Sequence, residues 1–173
     1  SKPTSLCDPH GLIQMGCLDD TLAEATRMLD PNNPPVLPNG ESYERNMDKI
    51  EEDLHASDGS YAYSDTAQFG RYVGENGKWV TKEMPGGEWD YKRLNRRYEN
   101  AGNFNYGATG VALGMSEEEL LRAAGYVQEH HGAKDPNFGH WNDGPPYGDD
   151  PWDQEMIKRG IRWGRARLKG DVD

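Results

Sequence analysis

The sequence predicts a mainly α fold, a compact helical domain with at most a small β-hairpin or sheet. Two observations predict this class: apolar residues recur at helical spacing behind recognisable helix starts, and only the stretch 77–83 has the pattern of a strand. The length of 173 residues suits one main domain, and the 10% of aromatic residues supplies bulky core side chains. We assign 1–42 to an irregular extension or linker with one short helix, and 43–173 to the main domain.

The N-terminal half favours short helices separated by breaks. The pair Asp19-Asp20 can cap a short helix in the extension, before the proline-rich run 30–40 interrupts the chain. The segment 42–55 has an apolar face at helical spacing. Further helices are expected over 65–73 and 88–99.

Two helices in the C-terminal half have clear start signals. Ser116 opens a capping box, and the apolar residues behind it predict a helix that ends at Gly132. An aromatic and proline-rich loop is expected over 134–149. Asp150 then serves as N-cap of the last helix, with Pro151 at its first position.

The segment 98–110 is the most unusual part of the chain. It holds three glycines, three asparagines and two tyrosines, with no aliphatic residue larger than alanine. This composition lacks the apolar periodicity of a core element and favours a tight turn that approaches a ligand closely. Glu99 lies at the mouth of this turn, at the end of the 88–99 helix. Its carboxyl would be partly desolvated near aromatic rings, which suits a general acid; the alternative is a surface ion pair with Arg96 or Lys92.

A second acidic group, Asp149, Asp150 and Asp153, lies at the start of the last helix. Asp150 and Asp153 suit a helix N-terminus, whose dipole favours negative charge. The three could instead hold a divalent cation, although we assign no metal and no cofactor. Capping needs only one of the adjacent pair, so Asp149 could complete a two-carboxylate site with Glu99, as in glycoside hydrolysis. The candidate catalytic residues are Glu99, Asp149 and Asp150.

Polar and aromatic side chains around these acids are candidates for substrate binding. Amides and hydroxyls can bond to hydroxyl or amide groups of a substrate, and aromatic rings can stack on flat ligands. His140 could also act as a base, but no serine or cysteine lies in a recognisable nucleophile elbow. The candidate binding residues are Trp89, Asn103, Asn105, Tyr106, Thr109, His140 and Tyr147.

The net charge of −11 argues against general nucleic-acid binding, which needs a basic surface. The run 158–169 is the exception, with six basic residues and no acidic one. We expect it to be the solvated face of the last helix, with contact to phosphate or to an acidic partner as the alternative. Cys7 and Cys17 could form a disulfide or stay as free thiols. No apolar run is long enough to span a membrane, and no signal peptide opens the chain.

Three blocks of the sequence together resemble the polymorphic toxin type 44 domain, a family of bacterial secreted effectors found at the C-termini of Rhs-type carriers. They are Gly86-Gly-Glu-Trp-Asp-Tyr-Lys92, Tyr98-Glu-Asn-Ala-Gly-Asn-Phe-Asn-Tyr-Gly-Ala-Thr-Gly110 and Pro145-Pro-Tyr-Gly-Asp-Asp-Pro-Trp-Asp-Gln154. The stretch 120–125 also fits, and the likeness extends over 43–165. Near the start, Asp8-Pro-His-Gly-Leu12 is similar to the sequence that ends Rhs shells.

This resemblance implies that 43–173 is the catalytic domain of an antibacterial toxin, delivered into a target bacterial cell by a machine such as type VI secretion. It implies three partners: a cognate immunity protein, a carrier or secretion-system polypeptide, and the substrate, with no insertion into a membrane. A glutamate followed by a glycine-rich segment, among many aromatics, is also similar to lysozyme-like muramidases. That likeness implies a lysozyme-like general character, peptidoglycan as the substrate and the periplasm as the place of action.

The first hypothesis is therefore a toxin that hydrolyses the glycan strands of peptidoglycan, with Glu99 as general acid. The chain departs from phage-type lysozymes in the spacing after this glutamate. The alternative is a ribonuclease toxin of the target cytoplasm, with Glu99 or His140 as base and Arg93, Arg96 or Arg97 against phosphate. A third hypothesis is a domain without enzymatic activity, whose extension contacts the carrier or the immunity protein.

Overall fold

The computed structural model of the chain describes residues 34–38, 40–55, 82–83, 86–132 and 135–171. Four α-helices form this part: α1 (Tyr43–His55), α2 (Glu99–Ala112), α3 (Glu117–His131) and α4 (Pro151–Leu168). Short 3-10 turns occur at Tyr91–Arg93, Arg96–Tyr98 and Pro136–Phe138, and these described residues contain no strand. The prediction of a mainly α fold is confirmed.

The helices belong to a compact unit that runs from Val36 to Asp173. The boundary between 42 and 43 stays a prediction. The expected helix at the pair Asp19-Asp20, the helix at 65–73 and the pairing of the two cysteines lie outside the described residues. Of the strand candidate 77–83, only the last two residues are described, and both are helical.

Local start signals determine where α3 and α4 begin. Ser116 Oγ accepts a hydrogen bond from the backbone N–H of Glu119 at 3.3 Å, and the Ser116 N–H donates to Glu119 Oε2 at 2.8 Å. At α4, Asp150 Oδ1 accepts from the backbone N–H of Trp152 at 2.7 Å, and Pro151 is the first helical residue. These caps satisfy N–H groups that a first helical turn leaves unbonded. The predictions for both helices, and for the helix at 42–55, are confirmed.

The prediction of a tight turn over 100–110 is wrong, because this segment forms most of α2. A Cβ on Gly107 would lie 2.2 Å from the carbonyl oxygen of Ile157, and one on Gly110 would lie 2.3 Å from Leu120 Cδ2. The small residues therefore let neighbouring helices approach the α2 backbone. This close packing outweighs the propensity cost of a glycine inside a helix, which is about 1 kcal/mol.

The prediction of an α-helix over 88–99 is also wrong. Asn95 has extended backbone angles, φ −166° and ψ 137°, and its side chain accepts from the backbone N–H of Arg97 at 3.0 Å. This cap separates two short 3-10 turns and delays the α-helix until Glu99. Glu99 therefore begins a helix, at its positive dipole end, and does not end one.

Helix α2 occupies the centre of the described fold. Its Phe104 ring contacts Tyr43 of α1 and Trp163 of α4, with centroids 4.7 and 5.9 Å apart. A Cβ on Gly160 would meet the carbonyl oxygen of Phe104 at 2.0 Å, and one on Gly164 would meet that of Ala108 at 3.0 Å. Later residues of α2 thus contact later residues of α4. It follows that α2 and α4 run parallel, and that their N-termini lie at the same end.

Candidate carboxylate site

The first turns of α2 and α4 meet because the two helices pack in parallel. Asn100 Oδ1, in the first turn of α2, accepts a hydrogen bond of 3.0 Å from the indole Nε1–H of Trp152, in the first turn of α4. Asn100 directly follows Glu99, and Trp152 directly precedes Asp153. The glycine-based packing therefore brings acidic residues from two distant parts of the sequence to one place.

Four carboxyl groups belong to this place: Asp153 and the three acids whose charges act on it, which are Asp149, Glu99 and Asp150. Burial raises the pKa of Asp153 to about 7, and the charges of Asp149, Glu99 and Asp150, in that order, contribute to the rise. Lys92, in the turn Tyr91–Arg93, acts in the opposite direction and lowers this pKa. The carboxyl of Asp153 is thus divided between its protonated and ionised forms at neutral pH.

Two of the four carboxyl groups have structural partners. Asp149 is buried, its Oδ2 accepts from Gln154 Nε2 at 2.7 Å, and its Oδ1 accepts from the backbone N–H of Asp150 at 2.9 Å. Burial raises the pKa of Asp149 as well. Asp150 is the N-cap of α4. Glu99, Asp150 and Asp153 are all half-buried; because Asp150 uses Oδ1 for the cap, Glu99 and Asp153 are the two half-buried acids outside the capping contacts.

The structure brings together the three candidate catalytic residues and adds Asp153, to which the sequence reasoning gave only a capping or metal-binding role. The signal for Asp153 was present, since it lies in the same acidic run as Asp149 and Asp150. What the sequence does not show is how deeply its carboxyl is buried or that Glu99 lies beside it. The catalytic roles of Glu99, Asp149 and Asp150 stay predictions.

The candidate binding residues are divided between several environments. Asn103 lies one helical turn after Glu99, and its amide nitrogen is buried with no hydrogen-bond partner among the described residues. The Tyr106 hydroxyl is buried and donates to the backbone oxygen of Leu120 at 2.9 Å. Asn103 is thus the candidate that lies nearest along α2 to the carboxylate site.

Three other candidates lie elsewhere. Trp89 is buried, and the Lys82 ammonium lies 4.8 Å from its ring centroid. His140 is exposed, with Nδ1 3.6 Å from a carboxylate oxygen of Glu129. Tyr147 has the Arg122 guanidinium 4.7 Å from its ring centroid. Their roles in substrate binding stay predictions.

Asn105 and Thr109, the last two candidates, face a second acidic group, Glu83. Glu83 is half-buried as a residue, but its carboxyl points into the protein: Oε1 accepts from Thr109 Oγ1 at 3.0 Å and from Asn105 Nδ2 at 3.1 Å. Asn46 of α1 extends the network, since its Nδ2 donates to Asn105 Oδ1 at 2.8 Å and to the Tyr91 hydroxyl at 2.7 Å. Sequence reasoning missed Glu83, because an isolated glutamate in a strand-like stretch carries no local signal.

Burial raises the pKa of Glu83 from 4.5 to about 8, although its hydrogen bonds with Thr109 and Asn105 and the charge of Lys82 lower it. The folded state therefore binds a proton that the unfolded state has released at neutral pH. The stability contributed by this proton is fully present below about pH 4.5 and is lost as the pH rises through about 8. Glu83 therefore makes the folding stability depend on pH, and it is not one of the four carboxyl groups of the carboxylate site.

We expect Glu83→Gln to flatten the pH dependence of folding stability. Glutamine keeps the accepting oxygen and cannot ionise, so the variant should gain on the wild type by on the order of 4 kcal/mol between about pH 4 and about pH 9. Urea unfolding followed by tryptophan fluorescence measures this difference. Glu52→Gln, on the exposed face of α1, is the matched control and should leave the pH dependence unchanged. Parallel stability curves for wild type and Glu83→Gln would contradict the assignment.

Among the described residues, no group of three or more His, Cys, Asp or Glu side chains is arranged to hold a metal ion. In the same part of the chain, no helix is both long and apolar enough to cross a membrane.

The described residues define a small helical domain with a cluster of acids where two parallel helices begin. The chain belongs to the bacterial toxin 44 family, whose model matches residues 80–166. The match includes α2, α3, most of α4 and all four carboxyl groups of the site, so the predicted resemblance to this toxin family is confirmed. Polymorphic toxin domains typically pair with immunity proteins.

No curated protein and no solved structure matched the chain. The likeness to lysozyme-like muramidases, and the lysozyme-like character of the fold, stay predictions.

Proposed function

We propose that this domain is an antibacterial toxin that hydrolyses the glycan strands of peptidoglycan by carboxyl acid–base catalysis. The observation that carries the proposal is Asp153, a half-buried carboxyl whose pKa is raised to about 7 by burial and by nearby charges that include Glu99. A carboxyl that holds its proton near neutral pH next to a second carboxylate is the arrangement that cleavage of a glycosidic bond requires.

In this mechanism Asp153 is the general acid. Its proton passes to the glycosidic oxygen as the bond from that oxygen to the anomeric carbon breaks. Glu99, at the positive end of the α2 dipole, stabilises the oxocarbenium-like charge and accepts a proton from the water whose oxygen bonds to the anomeric carbon. Asp149 and Asp150 support this pair, because their charges help to keep the proton on Asp153.

The charges around the site favour a neutral substrate over a nucleic acid. The ionised carboxylates of the site would repel a phosphodiester, and the charges that act most on Asp153 include Lys92 but none of the arginines of the ribonuclease hypothesis. Arg93 and Arg96 are exposed, and the Arg97 guanidinium lies 4.6 Å from the Tyr98 ring centroid. The acid–base pair therefore supports the glycan hypothesis more directly than the nuclease hypothesis.

The basic run 158–169 offers no ready phosphate site either. Three of its arginines form ion pairs within the chain: Arg162 with Glu155 at 2.9 Å, Arg165 with Glu117 at 3.2 Å, and Arg167 with Asp48. These three fit the expectation of a solvated helix face, but that expectation is wrong for Arg159, which is buried.

The first test determines in which compartment the domain is toxic. Peptidoglycan lies outside the inner membrane, so we expect toxicity when the chain is expressed in bacteria with a periplasmic export signal, and little when it is expressed without one. Glu155→Gln is the matched control, because it changes an exposed acid of α4 and should stay as toxic as the wild type. Toxicity confined to the cytoplasmic form would contradict the proposal.

Digestion of purified peptidoglycan identifies the bond that the domain cleaves. We expect soluble fragments with new reducing ends, identified by mass spectrometry, and about 10²–10⁴-fold slower release from the variant Asp153→Asn. In the cell, delivery would depend on a carrier or secretion-system polypeptide, and a cognate immunity protein would act in the same compartment as the toxin.

A further inference from the structure

Trp152 is a large aromatic side chain left half-exposed at the edge of the carboxylate site. Its exposed fraction is 44%. Two hydrogen bonds hold it there: the indole Nε1–H donates to Asn100 Oδ1 at 3.0 Å, and the backbone N–H donates to Asp150 Oδ1 at 2.7 Å. Single exposed hydrophobic residues are common on protein surfaces, so what distinguishes Trp152 is that its indole is hydrogen-bonded in place at the carboxylate site.

The position of the ring relates it to the proposed chemistry. Trp152 directly precedes the proposed acid, Asp153, and its partner Asn100 directly follows Glu99. The indole therefore links the two helix starts that carry the reacting groups.

We propose that Trp152, held by Asn100, is a sugar-binding platform that stacks on one β-linked amino-sugar unit next to the bond that is cleaved. This inference rests on the proposed function and names the subsite for its substrate. A β-linked pyranose presents a face of C–H groups, which suits the electron-rich face of an indole. Binding sites of this kind combine an aromatic wall with a few polar groups, here the carboxyl groups and the nearby amides.

The Asn100 bond matters because a ring that is already oriented loses little freedom when a ligand binds. This makes Asn100 a positioning residue for Trp152. Without its bond the indole would still be present, but its plane would no longer be fixed with respect to α2.

A nucleobase could also stack on the ring, so the two ligand classes have to be separated by charge. An oligonucleotide would place its phosphates close to the ionised carboxylates of the site, whereas a neutral amino-sugar chain meets no such repulsion. The charge of the site therefore favours a glycan as the occupant.

Binding to a defined glycan tests the platform. The parent is the full chain with Asp153→Asn, which should bind without cleaving, and the probe is a short β-1,4-linked oligomer of N-acetylglucosamine studied by calorimetry. We expect Trp152→Ala in this parent to weaken binding about tenfold or more, and Trp152→Phe to weaken it less. Trp141→Ala, which removes another exposed tryptophan (38%), is the matched control and should bind like the parent.

Three results would overturn the platform: unchanged affinity in Trp152→Ala, no binding of the oligomer by the parent, or tighter Trp152-dependent binding of single-stranded RNA. Circular dichroism checks that Trp152→Ala is folded; if it is not, unchanged affinity in both Trp152→Phe and Asn100→Ala overturns the platform equally.

If wild type cleaves peptidoglycan while Trp152→Ala keeps its KM, the platform fails and the proposed function stands. If the oligomer binds through Trp152 but wild type cleaves no glycan, the proposed function fails and Trp152 stands as a sugar-binding platform without a cleaved bond beside it.

Discussion

Asp153→Asn is expected to lower kcat/KM for peptidoglycan cleavage by about 10²–10⁴-fold, the usual contribution of a general acid. Asparagine has nearly the same shape, but it cannot deliver a proton to the leaving oxygen. The fold should be retained, because the substitution removes a carboxyl that burial and three neighbouring acids already disfavour in its charged form. Release of new reducing ends from purified peptidoglycan measures the loss, and thermal unfolding checks the fold.

The control for this prediction lies two residues further along α4. Glu155→Gln removes an acid of the same helix whose side chain is 45% exposed and which pairs with Arg162 at 2.9 Å. A surface pair of this kind is worth about 1 kcal/mol or less, so activity should be unchanged. Equal activity of Asp153→Asn and wild type would remove Asp153 from the mechanism.

The same assignment fixes the direction of the pH dependence. The acid must be protonated in the free enzyme, so kcat/KM should fall as the pH rises through about 7, the pKa to which Asp153 is raised. A rate that keeps rising to about pH 9 would contradict the role of Asp153 as acid.

A feature of the site could be predicted from the sequence when residues close along the chain determine it, and not when packing between distant segments does. The caps at Ser116 and Asp150 act within one helical turn, so the starts of α3 and α4 could be predicted from the sequence. Glu99 and Asp149 could be named as candidates because each lies in a distinctive polar run. The pKa of Asp153 was not predictable, because it arises from burial and from Glu99, which packing across two helices brings close.

The fold class was predictable, but the nature of its central helix was not. Amphipathic patterns reveal helices that bury large side chains, as α4 does with Ile157 and Ile161. Helix α2 instead buries glycine and alanine at its contact with α4, so its pattern matches that of a turn when neighbours are unknown. Information about the partner helix would have been needed to tell the two apart.

Gly107→Ala tests this explanation of α2 directly, and we expect it to destabilise the protein by about 1–3 kcal/mol or more. The new Cβ would lie 2.2 Å from the carbonyl oxygen of Ile157 and 3.0 Å from the backbone nitrogen of Ile161. Both are backbone atoms of α4, so no side chain can rotate away to make room. The strain has to be relieved by moving one helix away from the other. Urea unfolding measures the change in the free energy of unfolding.

Gly102→Ala is the matched control on the same helix, and it should have the opposite sign. A Cβ at this position would meet no atom within 4 Å, so alanine should stabilise α2 by about 0.5–1 kcal/mol through its better helix propensity. Destabilisation of similar size in both variants would show that close approach to α4 is not what Gly107 provides. Activity supplies a second measurement. Under conditions where Gly107→Ala is still folded, separation of the helices should lengthen the Asn100–Trp152 hydrogen bond and lower kcat/KM. The proposed acid Asp153 and base Glu99 depend on this packing for their relative position.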